Sequence, residues 1–283
     1  MRLGHLGPAG TFTEEAARTT AAGAGELVPY PTVTDTVAAV LAGEVDAALV
    51  PIENSLEGVV TATVDALSAE PRLRMVGEAV LAVRQCLIAS SEVAVGDIAE
   101  VRSHPQALAQ SARFLREHLP TARLVATGST AEAVASLDGS GGEPAAAIAS
   151  RSAAALHGGV VLQEGIEDEE GNATRFAWLA IRGAPAFPPP GEDAAWKTSM
   201  LFTGADDARP GWLVRCLSEF AFRGVNLVKI ESRPARSRLG HYLFLADCEG
   251  QEDDPAVADA LTGLHTHCDE VRVLGTYPAA PSP

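Results

Sequence analysis

Gly183-Ala184-Pro185-Ala186-Phe187-Pro188-Pro189-Pro190-Gly191-Glu192-Asp193 divides the chain. Its four prolines and two glycines exclude a helix and a central strand, because proline lacks the backbone donor and both residues punctuate regular structure. The stretch reads as a linker over 183–195. It joins an N-terminal part, 1–182, to a C-terminal part, 196–278. A length of 283 residues suits two domains. With 47% apolar and 20% charged residues the chain can bury a proper core, which excludes wholesale disorder.

Before the linker, short apolar runs alternate with alanine-rich helical stretches. Strands are predicted over 3–6, 47–50, 79–89, 124–127, 145–149, 160–163 and 176–181. Helices are predicted over 14–22, 34–42, 59–66, 106–119, 130–137 and 152–156. Such alternation belongs to an α/β layered fold. The long run 79–89 suits a crossover between two lobes. After the linker the order is strand 198–203, helix 210–222, strands 225–232 and 242–248, helix 255–265 and strand 271–275. In the first of these helices Leu213, Leu217 and Phe220 share a face, and Pro210 suits its start. The order βαββαβ is that of a ferredoxin-like sandwich.

The chain carries 37 acidic and 21 basic side chains, for a formal charge of -16. That balance excludes nucleic acid, which binds through basic contacts to phosphate, and an anionic membrane surface. No run approaches the roughly 20 apolar residues of a membrane span. Residues 1–6 lead straight into Gly7-Pro8 without the long apolar region of a signal peptide, so a cytoplasmic location is expected. Cys86, Cys216, Cys248 and Cys268 lie far apart and are read as reduced thiols. The seven histidines form no H-E-x-x-H, and His265 and His267 sit badly for one helical face.

Four segments place polar residues where strands or loops meet helices. In Gly7-Pro8-Ala9-Gly10-Thr11-Phe12-Thr13-Glu14 the pair Thr11/Glu14 has capping-box spacing, and a helix start of this kind attracts anions. The plain alternative is a tight turn with an ordinary cap. Pro51-Ile52-Glu53-Asn54-Ser55-Leu56-Glu57-Gly58 follows a strand, where ligands of α/β sheets gather, or else is a solvated loop whose Asn and Ser cap the next helix. Ser103-His104-Pro105-Gln106 repeats the capping spacing, with Gln110 on the face of Gln106. Asn172, Thr174 and Arg175 enter an apolar strand after an acidic run. Alternation sets Thr174 and Phe176 on one face and Arg175 on the other. An arginine there is a candidate carboxylate fork, or a surface partner of the acidic run.

Taken together, GPAGTFTEEA (7–16), VPIENSLEGVV (50–60), SHPQALAQ (103–110), AAIAS (146–150) and NATRFAWL (172–179) resemble the prephenate dehydratase family. RPGWLVRCLSEFAFRGVNLVKIESRP (209–234) resembles the ACT regulatory domain that follows its catalytic part. The resemblance implies two α/β lobes like those of periplasmic binding proteins, with the site in the cleft, and then a βαββαβ ACT domain. It implies that Thr174 is essential, that Glu53 and Ser103 share the catalytic site, and that Asn54, Gln110, Arg175 and Phe176 line it. No cofactor or metal is implied. The substrate is prephenate, which loses CO2 and water to give phenylpyruvate. The expected source of positive potential for this dianion is Arg175 with the helix starts near Thr11, Ser55 and Ser103. Thr174 or a protonated Glu53 would assist the leaving hydroxyl. An arogenate dehydratase, a relative in specialised metabolism and a non-catalytic solute-binding sensor are the alternatives.

The same resemblance implies phenylalanine as an effector at ACT–ACT interfaces and a homodimer or homotetramer. The effector residues would be Gly211, Trp212, Leu213, Asn226, Glu231, Ser232, Arg233 and Pro234. The family usually has alanine where Trp212 stands. The indole either points outward, or packs at a dimer interface, or fills and reshapes the effector pocket.

Overall fold

The computed structural model describes residues 1–137, 143–204, 209–234 and 241–281. The first lobe is a sheet of parallel strands β1 (Arg2–Leu6), β2 (Glu26–Tyr30) and β3 (Ala47–Asn54), completed by β5 (Leu73–Ala82) and β11 (Ala173–Ile181). The order is β2-β1-β3-β11-β5, β11 runs antiparallel to both neighbours, and the short β4 (Gly58–Val59) pairs with β3. Helices α1 (Phe12–Ala21), α2 (Val33–Ala42) and α3 (Thr61–Ala69) cover it. Helix α2 shows why: the Thr32 side chain accepts from the Asp35 N–H at its start, Val33, Val37 and Val40 form one buried stripe, and Gly43 stops it at φ 71°.

The second lobe has the sheet order β10-β6-β9-β7-β8, from β6 (Cys86–Ala89), β7 (Glu100–Ser103), β8 (Arg123–Ala126), β9 (Ala145–Ala149) and β10 (Val160–Glu164). Its helices are α4 (Pro105–Gln110), α5 (Ala112–His118), α6 (Thr130–Ala135) and α7 (Arg151–His157). The chain crosses between lobes twice, through Val83-Arg84-Gln85 and back through residues 165–172. The run 79–89 therefore divides between two sheets. The stretch 106–119 is two helices, broken at the fully buried Ser111, which adopts φ -118° and ψ 19°. Strand β2 escaped the sequence reading because Pro29 interrupts it, which an edge strand tolerates.

The C-terminal sandwich runs β12 (Trp196–Thr203), α8 (Trp212–Ala221), β13 (Leu227–Pro234), β14 (Tyr242–Glu249), α9 (Pro255–His265) and β15 (Glu270–Pro278). Its antiparallel sheet has the order β13-β14-β12-β15, the ferredoxin-like arrangement. One face of that sheet packs under α8 and α9 through Met200, Phe202, Phe220, Phe244 and Leu264. The other face lies on the first lobe. Leu201, Leu245, Leu274 and Tyr277 share one apolar cluster with Leu67, Leu73 and Met75. Contact is close enough that a Cβ on Gly275 would lie 1.9 Å from the Met75 carbonyl oxygen. Arg74 Nη1 donates to the Val273 carbonyl at 2.6 Å, and Arg272 Nη2 to those of Leu67 and Ser68.

The proline-rich stretch is irregular yet docked. Phe187 N donates to the Val76 carbonyl at 2.8 Å, and its ring meets Trp178 edge-on at 4.7 Å. Gly77 is required beneath it, since any Cβ would lie 1.8 Å from Phe187 O.

Trp212 points inward. Its indole is 3% exposed, packs on Phe202 and Phe244, and donates from Nε1 to the His267 carbonyl at 2.7 Å. This corrects the outward reading of that side chain. Gly204 faces the ring, where a Cβ would sit 2.6 Å away.

Candidate active site

A cleft of about 350 Å³ lies between the two lobes. Thr11, Asn54 and Thr174 line it from the first lobe, Gln106, Gln110 and Ser129 from the second, and Gln85 from the first crossing segment. Helices α1, α4 and α6 all begin at its wall, with Thr11, His104 and Ser129 as their N-caps. Thr11 Oγ1 accepts from Glu14 N at 3.4 Å. Burial pushes the Glu14 carboxyl up, but bonds from the Gly10 N–H and from Arg18 outweigh it and hold the group below its ordinary range.

A relay of amides fixes which atoms face the cleft. Asn54 Oδ1 accepts the N–H groups of Leu56 and Glu57, at 3.0 and 3.1 Å. Its Nδ2 must therefore donate, and it reaches Asn172 Oδ1 at 2.9 Å and Thr174 Oγ1 at 3.0 Å. Since Asn172 Oδ1 accepts, its Nδ2 donates to Gln110 Oε1 at 3.4 Å. Two consequences follow. The Thr174 oxygen is held from behind while its hydrogen stays available to a ligand. Gln110, which lines the cleft, keeps Nε2 buried and without a partner among the described residues. The wall thus offers hydrogen-bond donors to an anionic or oxygen-rich ligand.

The other expected site residues lie elsewhere. Ser55 stands behind the relay, donating to Asn172 Oδ1 at 3.3 Å and accepting from Ala173 N at 3.0 Å. No helix starts there, because the chain turns into β4. Ser103 is fully buried at the end of β7 and donates to the Ile148 carbonyl at 2.6 Å; the cap of α4 is His104. Phe176 sits two residues deeper along β11, in the core with Leu3, Leu49 and Ala17. Glu53 faces away from the cleft, as strand alternation from Asn54 requires, and its Oε2 lies 2.6 Å from Lys229 Nζ on β13.

Arg175 is the largest correction. It points away from Thr174 into the contact with the C-terminal sandwich. Its Nε donates to Glu78 Oε2 at 2.7 Å, Nη1 to Asp247 Oδ2 at 2.5 Å, and Nη2 to Tyr277 Oη at 2.8 Å. Ser199 links Tyr277 back to Asp247, and Lys197 Nζ meets Glu78 Oε1 at 2.8 Å. Burial opposes the guanidinium charge, but Tyr277, Asp247 and Glu78 outweigh it and push the Arg175 pKa up. Burial, with Asp247 beside it, likewise pushes the Tyr277 hydroxyl up. Arg175 therefore binds protein carboxylates and not a ligand in the cleft.

Of the expected effector residues, Gly211 is the N-cap of α8 at φ 78°, and Leu213 packs on the sandwich core beside Trp212. The Asn226 carbonyl accepts from Glu249 N. Glu231, Ser232, Arg233 and Pro234 lie on the edge strand β13. Arg233 reaches back to the first lobe, 2.8 Å from Asp65 Oδ1 and 3.2 Å from the Thr61 carbonyl.

Two α/β lobes around a donor-lined cleft, followed by a ferredoxin-like sandwich seated on the first lobe, define the class of two-lobed α/β proteins with an appended α/β module. The family model for prephenate dehydratase matches residues 3–183. The chain belongs to the prephenate dehydratase family. It is 41% identical over 279 residues to the prephenate dehydratase of Amycolatopsis methanolica, covering 99% of this chain and 89% of that one. It superposes with a TM-score of 0.86 on the prephenate dehydratase of Arthrobacter aurescens in complex with L-Phe, at 41% identity over 98% of this chain and 90% of that one. A quorum quenching acylase, GqqA, gives a TM-score of 0.85 at 31% identity over 99% of both chains.

Proposed function

We propose that the chain is a prephenate dehydratase, a carbon–oxygen lyase that converts prephenate to phenylpyruvate for phenylalanine synthesis. The observation that carries this is the Thr174 hydroxyl, braced by Asn54 and free to donate into the cleft. In the reaction the bond to the ring carboxylate breaks and its electron pair enters the ring. The C4–O bond then breaks, and the departing hydroxide takes up a proton to leave as water. Aromatisation supplies much of the driving force. The protein's part is to stabilise charge on the leaving oxygen more than it stabilises the departing carboxylate. Thr174 supplies a donor at that oxygen. Gln110 Nε2 and the N–H groups at the start of α1 hold the acid groups of the substrate. Glu53, facing Lys229, is not the proton donor in this reading.

Incubation of the purified protein with prephenate should give phenylpyruvate, followed by its absorbance. Arogenate, tested alongside, decides the alternative amino substrate. The likeness to the acylase makes an acylase assay the third arm: hydrolysis there with no phenylpyruvate would replace the proposal.

Phenylalanine is the proposed effector, supported by the relative of 41% identity that binds L-Phe. Calorimetry should show binding coupled to inhibition. Absence of both would mean that the Trp212 indole has closed the site. The proposed assembly is a homodimer through the sandwich. Strand β13 is an edge, Val228 and Ile230 lie exposed on it, and Phe222 beyond α8 is 87% exposed. Light scattering should give the dimer mass or a multiple, and Ile230→Lys should lower it. A cytoplasmic location belongs to the same reading.

A further inference from the structure

Cys216 and Cys268 lie far apart in sequence, but the fold brings their sulfurs to 3.7 Å. One face of α8 frames that meeting. Trp212, Cys216 and Glu219, spaced by four and then three residues, stand in a row along the helix. Trp212 Nε1 donates to the His267 carbonyl at 2.7 Å, Cys216 Sγ meets Cys268 Sγ, and Glu219 Oε1 lies 2.9 Å from His267 Nε2. The facing segment is held in its turn: His267 N donates to the Leu264 carbonyl at 3.0 Å, and Asp269 N to that of Thr203 at 2.9 Å. The two sulfurs are thus placed by the contacts on either side of them.

The four cysteines differ in what an oxidant can do to them. Cys216 is fully buried, whereas Cys268 is partly exposed. The hydrogen bond between their sulfurs draws the Cys216 thiol below its ordinary range and pushes that of Cys268 up. Cys216 can therefore take the proton of Cys268 while Cys268, the member of the pair that solvent reaches, attacks an oxidant. Cys86 and Cys248 are buried, and burial pushes both thiols up, Cys248 to about 11, which keeps them inert. We propose that Cys216 and Cys268 form a reversible, peroxide-sensitive disulfide that latches α8 to the start of β15. Cys268 Sγ takes an oxygen from hydrogen peroxide to give a sulfenic acid, and water leaves. Cys216 Sγ then attacks that sulfur, the S–O bond breaks, and a second water leaves. The two thiols lose two electrons and two protons, and one peroxide becomes two waters. From 3.7 Å to the roughly 2.05 Å of a disulfide, each sulfur moves by only about 0.8 Å. A reducing thiol pool reopens the pair.

The closed latch joins residues 52 apart and encloses β13, β14 and α9. Restricting that much of the unfolded chain stabilises the fold, so the melting temperature should rise by about 5 °C or more. The test is to treat the purified protein with a slight excess of hydrogen peroxide. Two of the four thiols should be lost, the mass should fall by two hydrogens, and a peptide map should join Cys216 to Cys268. Dithiothreitol should restore the thiols and the original melting temperature. Cys268→Ser should abolish both the bond and the shift; the peptide map of the parent gives its answer even where that variant does not fold. Four intact thiols after peroxide would overturn the proposal. So would a bond between other cysteines or between two molecules, or oxygen on Cys268 that dithiothreitol does not remove. A Cys216–Cys268 bond that leaves the melting temperature level or lowers it is no latch and overturns it as well.

Discussion

Thr174→Ala should lower kcat and kcat/KM together by about 10²-fold or more, with prephenate still bound. The size follows from what is removed. Asn54 Nδ2 fixes the Thr174 oxygen at 3.0 Å, so the hydroxyl is aimed before the substrate arrives and loses little freedom in the transition state. A preset donor to an oxygen that gains charge as its bond breaks acts on the barrier more than on binding. The rest of the relay survives the change, since Asn54 still bonds Asn172 and the Ala173 carbonyl. Stability should fall by only about 1 kcal/mol. Thr174→Ser, which keeps the hydroxyl, should recover much of the rate. A rise in KM with kcat intact would make Thr174 a binding residue instead.

Arg175→Met should destabilise the fold by about 3–5 kcal/mol. The guanidinium is the cation between Glu78, whose side chain is 0% exposed, and Asp247, at 2%. Lys197 still reaches Glu78 after the change, but among the described residues Asp247 is left with Ser199 alone for a side-chain partner. A buried carboxylate without a cation is among the most costly single defects in a fold. The double change Arg175→Met with Asp247→Leu should restore a large part of the loss, because removing both charges removes the defect. Thermal melts of the parent, the two single variants and the double variant complete the cycle. A loss below 1 kcal/mol for Arg175→Met would mean that water reaches the network. The rate should drop as well, since Arg175 is bonded in chain to Thr174 and fixes the strand that carries it.

The elements that sequence periodicity found with the right bounds are those whose pattern is local. Strand β9 over Ala145–Ala149 and helix α9 over Pro255–His265 coincide with their predicted ranges. Where a run served two sheets, as at 79–89, the polar pair Arg84-Gln85 was the one mark of the crossing, and the apolar residues on either side hid it. At the site, motif neighbours were separated by the pleat. Asn54 and Thr174 face the cleft, while Glu53 and Arg175, one residue away, face the sandwich. Alternation already placed Arg175 opposite Thr174, and the carboxylate it serves proved to be the protein's own. Gln85 went unnoticed because, beside Arg84 in a run read as a strand, it looks like a surface position. The Arg175 network was equally hidden: its partners at 78, 247 and 277 lie in strands that only the tertiary fold brings together.

The close seating of β15 on β5 bears on how such a chain can evolve. A lineage could not simply shed the sandwich. Truncation after the proline-rich stretch would bare Leu67, Leu73 and Met75, take Asp247 and Tyr277 from Arg175, and take Lys197 from Glu78. The sandwich is thereby retained by the first lobe's need to fold, and change in it must come by altering the module in place while its sheet stays where it is.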